Sequence, residues 1–149
     1  MRASLRLGGA LAAALFALAL TAGSGPHDVV AQGDQGWIKV WGDGTIELSG
    51  KGTLTVKNES NLQMTMDGTL GDVKKIQDGA VYSHFEGTVR SIGLGAHLEL
   101  RGWHLKLKMR GRGKAHFQGY GTTAVDGGPP EAWPNEQTHN GWLKMKFRD

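Results

Sequence analysis

Five cations alternate along one stretch of the chain: Lys106, Lys108, Arg110, Arg112 and Lys114, with His104 and His116 at its two ends. Alternate positions of an extended strand point the same way, at about 7 Å per step. No acidic residue falls between Glu99 and Asp126. Like charges in a row repel, so the row calls for opposing carboxylates or for a polyanionic ligand. In the first case Glu47, Asp43 or Glu99 arrives from a neighbouring strand. In the second, all seven residues line a site for anionic polysaccharide or another surface polyanion.

A second pattern is Trp37-x-Lys39-x-Trp41, out of phase with Ile38 and Val40. Two indoles about 13 Å apart on one strand face present flat surfaces on which sugar rings stack. The alternative is packing beneath residues 25–35 or 126–140. Two weaker constellations carry acid–base chemistry. His97 and Glu99 share a strand face, and Asp43 and Glu47 lie four residues apart. A carboxylate pair can hydrolyse a glycosidic bond when its separation is right. The chain has no nucleophile elbow, P-loop or zincin helix. No two of its six histidines sit at i and i+2, so no metal, cofactor or catalytic residue is assigned.

These residues need strands to hold them. From Trp103 to Val125 every odd position except Thr123 is apolar or glycine, and the positions between are polar and mostly basic. Strict period two marks a strand with one buried face. Gly36 to Val56 reads the same way at its even positions, two apolar then two glycine. Gly42–Val56 and Gly111–Val125 match at all four glycines, at Thr53 with Thr122, and at Val56 with Val125. We read an internal repeat, 42–56 and 111–125. Inward glycine pairs let a long strand bend from one sheet to another. The expected fold is therefore all-β, a single antiparallel sandwich or partly closed barrel with glycine-bent strands, with a β-solenoid as the alternative. In texture, over these two repeats, the pattern resembles bacterial surface adhesins and polymer-forming β-solenoid proteins.

Between the repeats, a hairpin about Glu59 would set Leu62 against Val56 and Met64 against Leu54. Residues 81–89 alternate as a strand, Gly93-Leu94-Gly95 reads as a turn, and the apolar phase shifts at Arg101-Gly102. Residues 126–140 are irregular, and 141–147 close the chain with Leu143, Met145 and Phe147 facing in. No amphipathic helix follows residue 24.

The N-terminus carries Arg2 and Arg6, an apolar run from Leu7 to Leu20, and small residues at Ala22 and Ser24. This is the layout of a signal peptide, residues 1–24, with cleavage as late as Ala31. Residues 25–35 read as a flexible lead-in and 36–149 as the domain. With no cysteine, stability must come from pairing and packing or from self-association. The 24 glycines and 4 prolines argue against a proline-rich linker, and no Gly-X-Y period exists for collagen. The expected role is that of a secreted, non-catalytic surface or extracellular protein, without a membrane span after processing. The alternatives are an enzyme acting on a surface polysaccharide and a self-assembling matrix subunit. Lys39, Lys51 and Lys57, read as guards of a strand edge, speak against assembly.

Overall fold

The computed structural model describes residues 25–58, 61–138 and 141–147. The stretch read as a signal peptide, and Glu59 at the expected hairpin tip, lie outside them. The chain is all-β: β1 His27–Lys57, β2 Leu62–Thr69, β3 Asp72–Ile76, β4 Gly79–Val125, β5 Glu131–Ala132 and β6 Leu143–Phe147. No helix occurs among the described residues. All six strands join one antiparallel sheet. The parallel coil-on-coil ladder of a solenoid is absent among them.

Two strands of unusual length dominate. β1 pairs with β4 along both of its edges, so that Trp41 and Lys57 both lie beside His97. Roughly 50 Å of extended chain separates Trp41 from Lys57, yet the two strands that flank one residue are about 10 Å apart. β1 must therefore wind around the core. The outer strands, β2 and β3 on one side and β5 and β6 on the other, each pair only with β4. The sheet is rolled but not closed into a barrel.

The alternation explains what fills the roll. Ile38, Val40, Ile46, Leu48, Leu54 and Val56 of β1 are fully buried, as their even phase predicts. They meet Phe85, Val89, Leu98, Leu100, Leu107 and Phe117 of β4. Each such side chain contributes about 1.5–3 kcal/mol on burial. Glycines meet glycines across the ladders: Gly52 with Gly102, Gly102 with Gly36, and Gly36 with Gly119. At Gly119 (φ 124°) an added Cβ would sit 2.5 Å from the Gly36 Cα. Adjacent backbones converge along this line more closely than any side chain allows. The first glycine pairs of the two matched stretches also meet, Gly42 with Gly113 and Gly44 with Gly111.

Several expectations are corrected. The strand begins at His27, so residues 27–35 are not a flexible lead-in. Val29 and Ala31 are buried, in an odd phase that shifts to the even phase of Ile38 and Val40 at Asp34, which the β4 register leaves unpaired. β2 pairs with β4, placing Leu62 beside Gly93 and Met64 beside Ser91, because both edges of β1 are already taken. For the same reason Lys39, Lys51 and Lys57 guard no edge. Gly93-Leu94-Gly95 is a bulge within β4 rather than a turn. Leu94 and Gly95 together oppose Asp43, whose Oδ1 accepts a hydrogen bond from the Gly95 N–H at 2.8 Å. The phase shift falls at Trp103–His104, two residues later than expected. There His104 and Leu105 together oppose Gly50, and His104 takes φ 56°. Trp103 thereby turns outward, 50 % exposed, instead of joining the core.

The irregular segment after β4 caps the roll. Trp133 is buried and stacks on Phe117 at 5.4 Å and 20°. Its Nε1–H donates to the Thr123 Oγ1 at 2.7 Å, which accounts for the one polar residue in the inward phase of 103–125. A Cβ on Gly33 or Gly121 would strike the Trp133 indole.

Candidate functional site

The outer face of the roll carries a ladder of aromatic and cationic side chains. On β1, Trp37, Lys39 and Trp41 point outward, opposite the buried Ile38 and Val40. Register sets Trp37 between Arg101 and Gln118, Lys39 between Glu99 and His116, and Trp41 between His97 and Lys114. β6 continues the outer rows by placing Lys144 beside His116 and Lys146 beside Lys114. Trp142 immediately precedes it.

The contacts are close. Trp142 meets Trp37 edge-on, with centroids 5.1 Å apart and planes at 63°. The Lys39 Nζ lies 4.5 Å from the Trp37 centroid and 4.7 Å from that of Trp142. The Arg101 guanidinium lies 4.9 Å from Trp37, and the Lys114 Nζ lies 4.8 Å from Trp41. His97 and His116 flank Trp41 at 4.8 and 4.9 Å. Each cation over a ring contributes about 0.5–1 kcal/mol at an exposed site.

Glu99 is the one carboxylate within this ladder, and His97 holds it at 2.8 Å. That hydrogen bond keeps the Glu99 carboxyl below its ordinary range. The charges of His97, Lys39 and Lys57 add to it, against the opposing effect of burial. Burial holds the His116 imidazole below its ordinary value, reinforced by Lys144, Lys114 and Lys39. The face is thus electropositive, with planar apolar surfaces between its charges.

The basic row stands as an alternating outward series, Lys106 through Lys114 all exposed. Its surroundings differ along its length. Lys108 lies beside Glu47, Arg112 beside Asp43, and Arg110 beside Asp28. Arg110 Nη1 donates to both oxygens of Asp28, at 2.9 and 3.0 Å. Asp43 and Glu47 fill the role expected of neutralising neighbours, whereas Glu99 sits with His97 and Lys39. Asp28 was hidden in the supposed lead-in. Only the far end of the row, Lys114 and His116, enters the aromatic ladder. His104, at the other end, lines a small outer hollow with Asp34 and Tyr120.

Of the two weaker constellations, one comes apart and one stays together. Asp43 and Glu47 each face a cation across the ladder, so neither serves the other as an acid–base partner. His97 and Glu99 are joined, and His97 packs against Trp41. Trp142 is the member that sequence reading missed; Arg101, next to His97 and Glu99 on their strand face, was given no part in the site. Trp142 shares the phase of Lys144 and Lys146, opposite the inward Leu143 and Phe147, and that parity was readable. Its meeting with Trp37 depends on β6 joining β4.

No family model matches the chain, and no match is found among curated proteins or solved structures.

Proposed function

We propose that this is a secreted, non-catalytic binding protein of the cell surface or extracellular space, and that it holds anionic polysaccharide on the Trp37–Trp41–Trp142 face. The observation that carries the reading is the interleaving of three indoles with Lys39, Arg101 and Lys114 on one outer face. Sugar rings present flat C–H surfaces that stack on indoles, while carboxylate or sulfate groups on the same chain meet the cations. The neighbouring Lys144 and Lys146 extend the positive field. The basic strand contributes chiefly through Lys114 and His116, since Asp28, Asp43 and Glu47 offset its middle. Export is supported by the charged start and short apolar run at residues 1–24. The rolled antiparallel sheet serves as a rigid platform.

The test uses the chain from residue 25 onward on immobilised heparin. Retention should fall steeply with added salt, because counterion release supplies much of the driving force. The double change Trp41→Ala with Lys114→Gln should shift elution to clearly lower salt. Failure of the unaltered protein to bind at low salt, or unchanged elution of the double variant, would remove this reading.

A further inference from the structure

Beside the charged face the outer surface carries a groove of about 1220 Å³, which belongs neither to the basic row nor to the Trp41 end of the ladder. Its floor is the line of glycines already described, Gly52, Gly102, Gly36 and Gly119. These residues raise no side chain, so the groove runs across the strands. Its walls come from the residues before and after each glycine. Trp37, Arg101 and Gln118 stand on one side, and Gln35, Trp103 and Tyr120 on the other.

Two bulges of β4 shape the walls. At one, Ser83 and His84 together oppose Thr53; at the other, His104 and Leu105 oppose Gly50. Both histidines adopt left-handed backbone, φ 61° and 56°, a conformation in which His is enriched but which is uncommon outside glycine. Bulges re-aim side chains and cluster beside sites. Here the second one breaks the alternation of β4 and brings an indole, Trp103, out to half exposure on the groove wall. Half of this indole stays open to solvent on the groove wall.

The charges within the groove balance. Lys51 and Arg101 are matched by Glu86 and Glu136, and Glu136 accepts a hydrogen bond from the Tyr120 hydroxyl at 3.3 Å. The remaining polar groups are amides and hydroxyls, which both donate and accept, and the imidazole of His84, 3.6 Å from Asp72. The volume exceeds the usual 300–1,000 Å³ of a single small-molecule site. The strands beneath it are spaced about 4.8 Å apart, comparable with one pyranose unit.

We infer that this groove is a second site, which binds a linear uncharged polysaccharide lying across the strands, with Trp103 and Trp37 stacking on its rings from opposite walls. The groove shares Trp37 and Arg101 with the anionic face, but its glycine floor and Trp103 lie outside that face, so the two readings can fail separately.

Isothermal titration of the chain from residue 25 with cellohexaose, xylohexaose and chitohexaose, in high salt, tests it. High salt screens the charged face and leaves stacking intact. At least one hexaose should bind and quench tryptophan fluorescence, and its disaccharide should bind at least tenfold more weakly. Trp103→Ala should weaken the hexaose at least tenfold while keeping its heparin elution. Should that variant misfold, Gln35→Ala with Tyr120→Phe, on the same wall, should weaken binding severalfold. Binding of none of the three hexaoses, or binding undiminished in the folded variant, overturns the inference whatever the heparin column shows.

Discussion

Trp133 shows how one residue holds the end of the roll. Its ring fills the space that Gly33 and Gly121 leave open, and its N–H is satisfied by Thr123. Trp133→Ala should cost about 3–5 kcal/mol, the range for an aromatic removed from a core. Thr123→Val keeps the shape but strands a buried donor, and should cost about 1–3 kcal/mol. Urea denaturation of both variants checks the order. Two titrating groups give stability a pH dependence of predictable sign. Burial works to raise the Asp126 carboxyl. The hydrogen bonds from His27 and the Asp28 N–H, with the charges of His27 and Arg110, outweigh it and hold the group below 3.8. Its stabilisation is present above 3.8 and is lost as pH falls through the folded value. Asp126→Asn should reduce that acid limb, leaving the part that the lowered Glu99 supplies. His116 is also lowered, from 6.5, but as a base it acts differently. Between its folded value and 6.5 the unfolded chain holds a proton that the folded chain lacks. Stability therefore falls as pH drops below 6.5 and levels off below the folded value. Thermal melts of His116→Gln across that window should lose the slope, and a slope that persisted would assign it to other groups.

At the scale of elements, the first turn of the winding depends on residues 27–35. Val29 and Ala31 are buried, and the Asp28 carboxylate meets Arg110. A chain beginning at Gln32 should therefore be less stable than one beginning at Gly25 by at least about 1.5 kcal/mol, from the valine alone. Equal melting temperatures would show that the start of β1 contributes nothing. The same strand pairing sets the outcome of neutralising the basic row. Changing Lys108, Arg110 and Arg112 together to Gln removes the exposed Asp28–Arg110 pair, worth about 0.2–1 kcal/mol, and leaves Glu47 and Asp43 beside uncharged neighbours. Stability should fall slightly. Heparin elution should shift less than in the Trp41→Ala, Lys114→Gln variant, although more charge is removed. The reverse order would return the binding site to the middle of the row.

The whole molecule depends on backbones that approach along glycine lines. A Cβ at Gly102 would meet the Lys51 carbonyl oxygen, and would stand 2.8 Å from the Gly52 Cα. No flexible side chain is there to give way, so Gly102→Ala must push strands apart. It should destabilise the fold by more than about 1 kcal/mol and should open the groove floor, weakening hexaose binding with it. Denaturation and titration of the one variant read both effects. Nearly all pairing joins distant parts of the chain, as His27 with Gly111 does. Loops that long must close before the sheet stabilises anything, so refolding should take milliseconds to seconds. Stopped-flow tryptophan fluorescence measures this directly. The exposed edges fall to β2, β3, β5 and β6, and on β3 and β6 Lys74, Lys75, Lys144 and Lys146 disfavour edge-to-edge association.

Period two in the sequence was enough to specify an all-β chain, the inward residues of β1 from Ile38 to Val56, and the outward set of Lys39, Trp37 and Trp41. That pattern is local, because alternation along a pleated strand needs no knowledge of its partner. Glycine spacing likewise marked where strands could not carry side chains. Partner choice was a different matter. Lys57 and Trp41 share His97 only because β1 winds around the core, and no local signal encodes which edge of which strand comes alongside. The hairpin expected at Glu59 failed for that reason, since β2 found the edge of β4 while both edges of β1 were occupied. The lead-in was misread because its glutamines and Asp34 masked a strand whose burial depends on pairing with the middle and the C-terminal end of β4. The bulge at His104 moved Trp103 from core to groove, because one extra residue against Gly50 inverts every side chain on one side of it. The aromatic ladder and the glycine-floored groove are products of tertiary register, since their members come from strands as much as 105 residues apart, from Trp37 to Trp142.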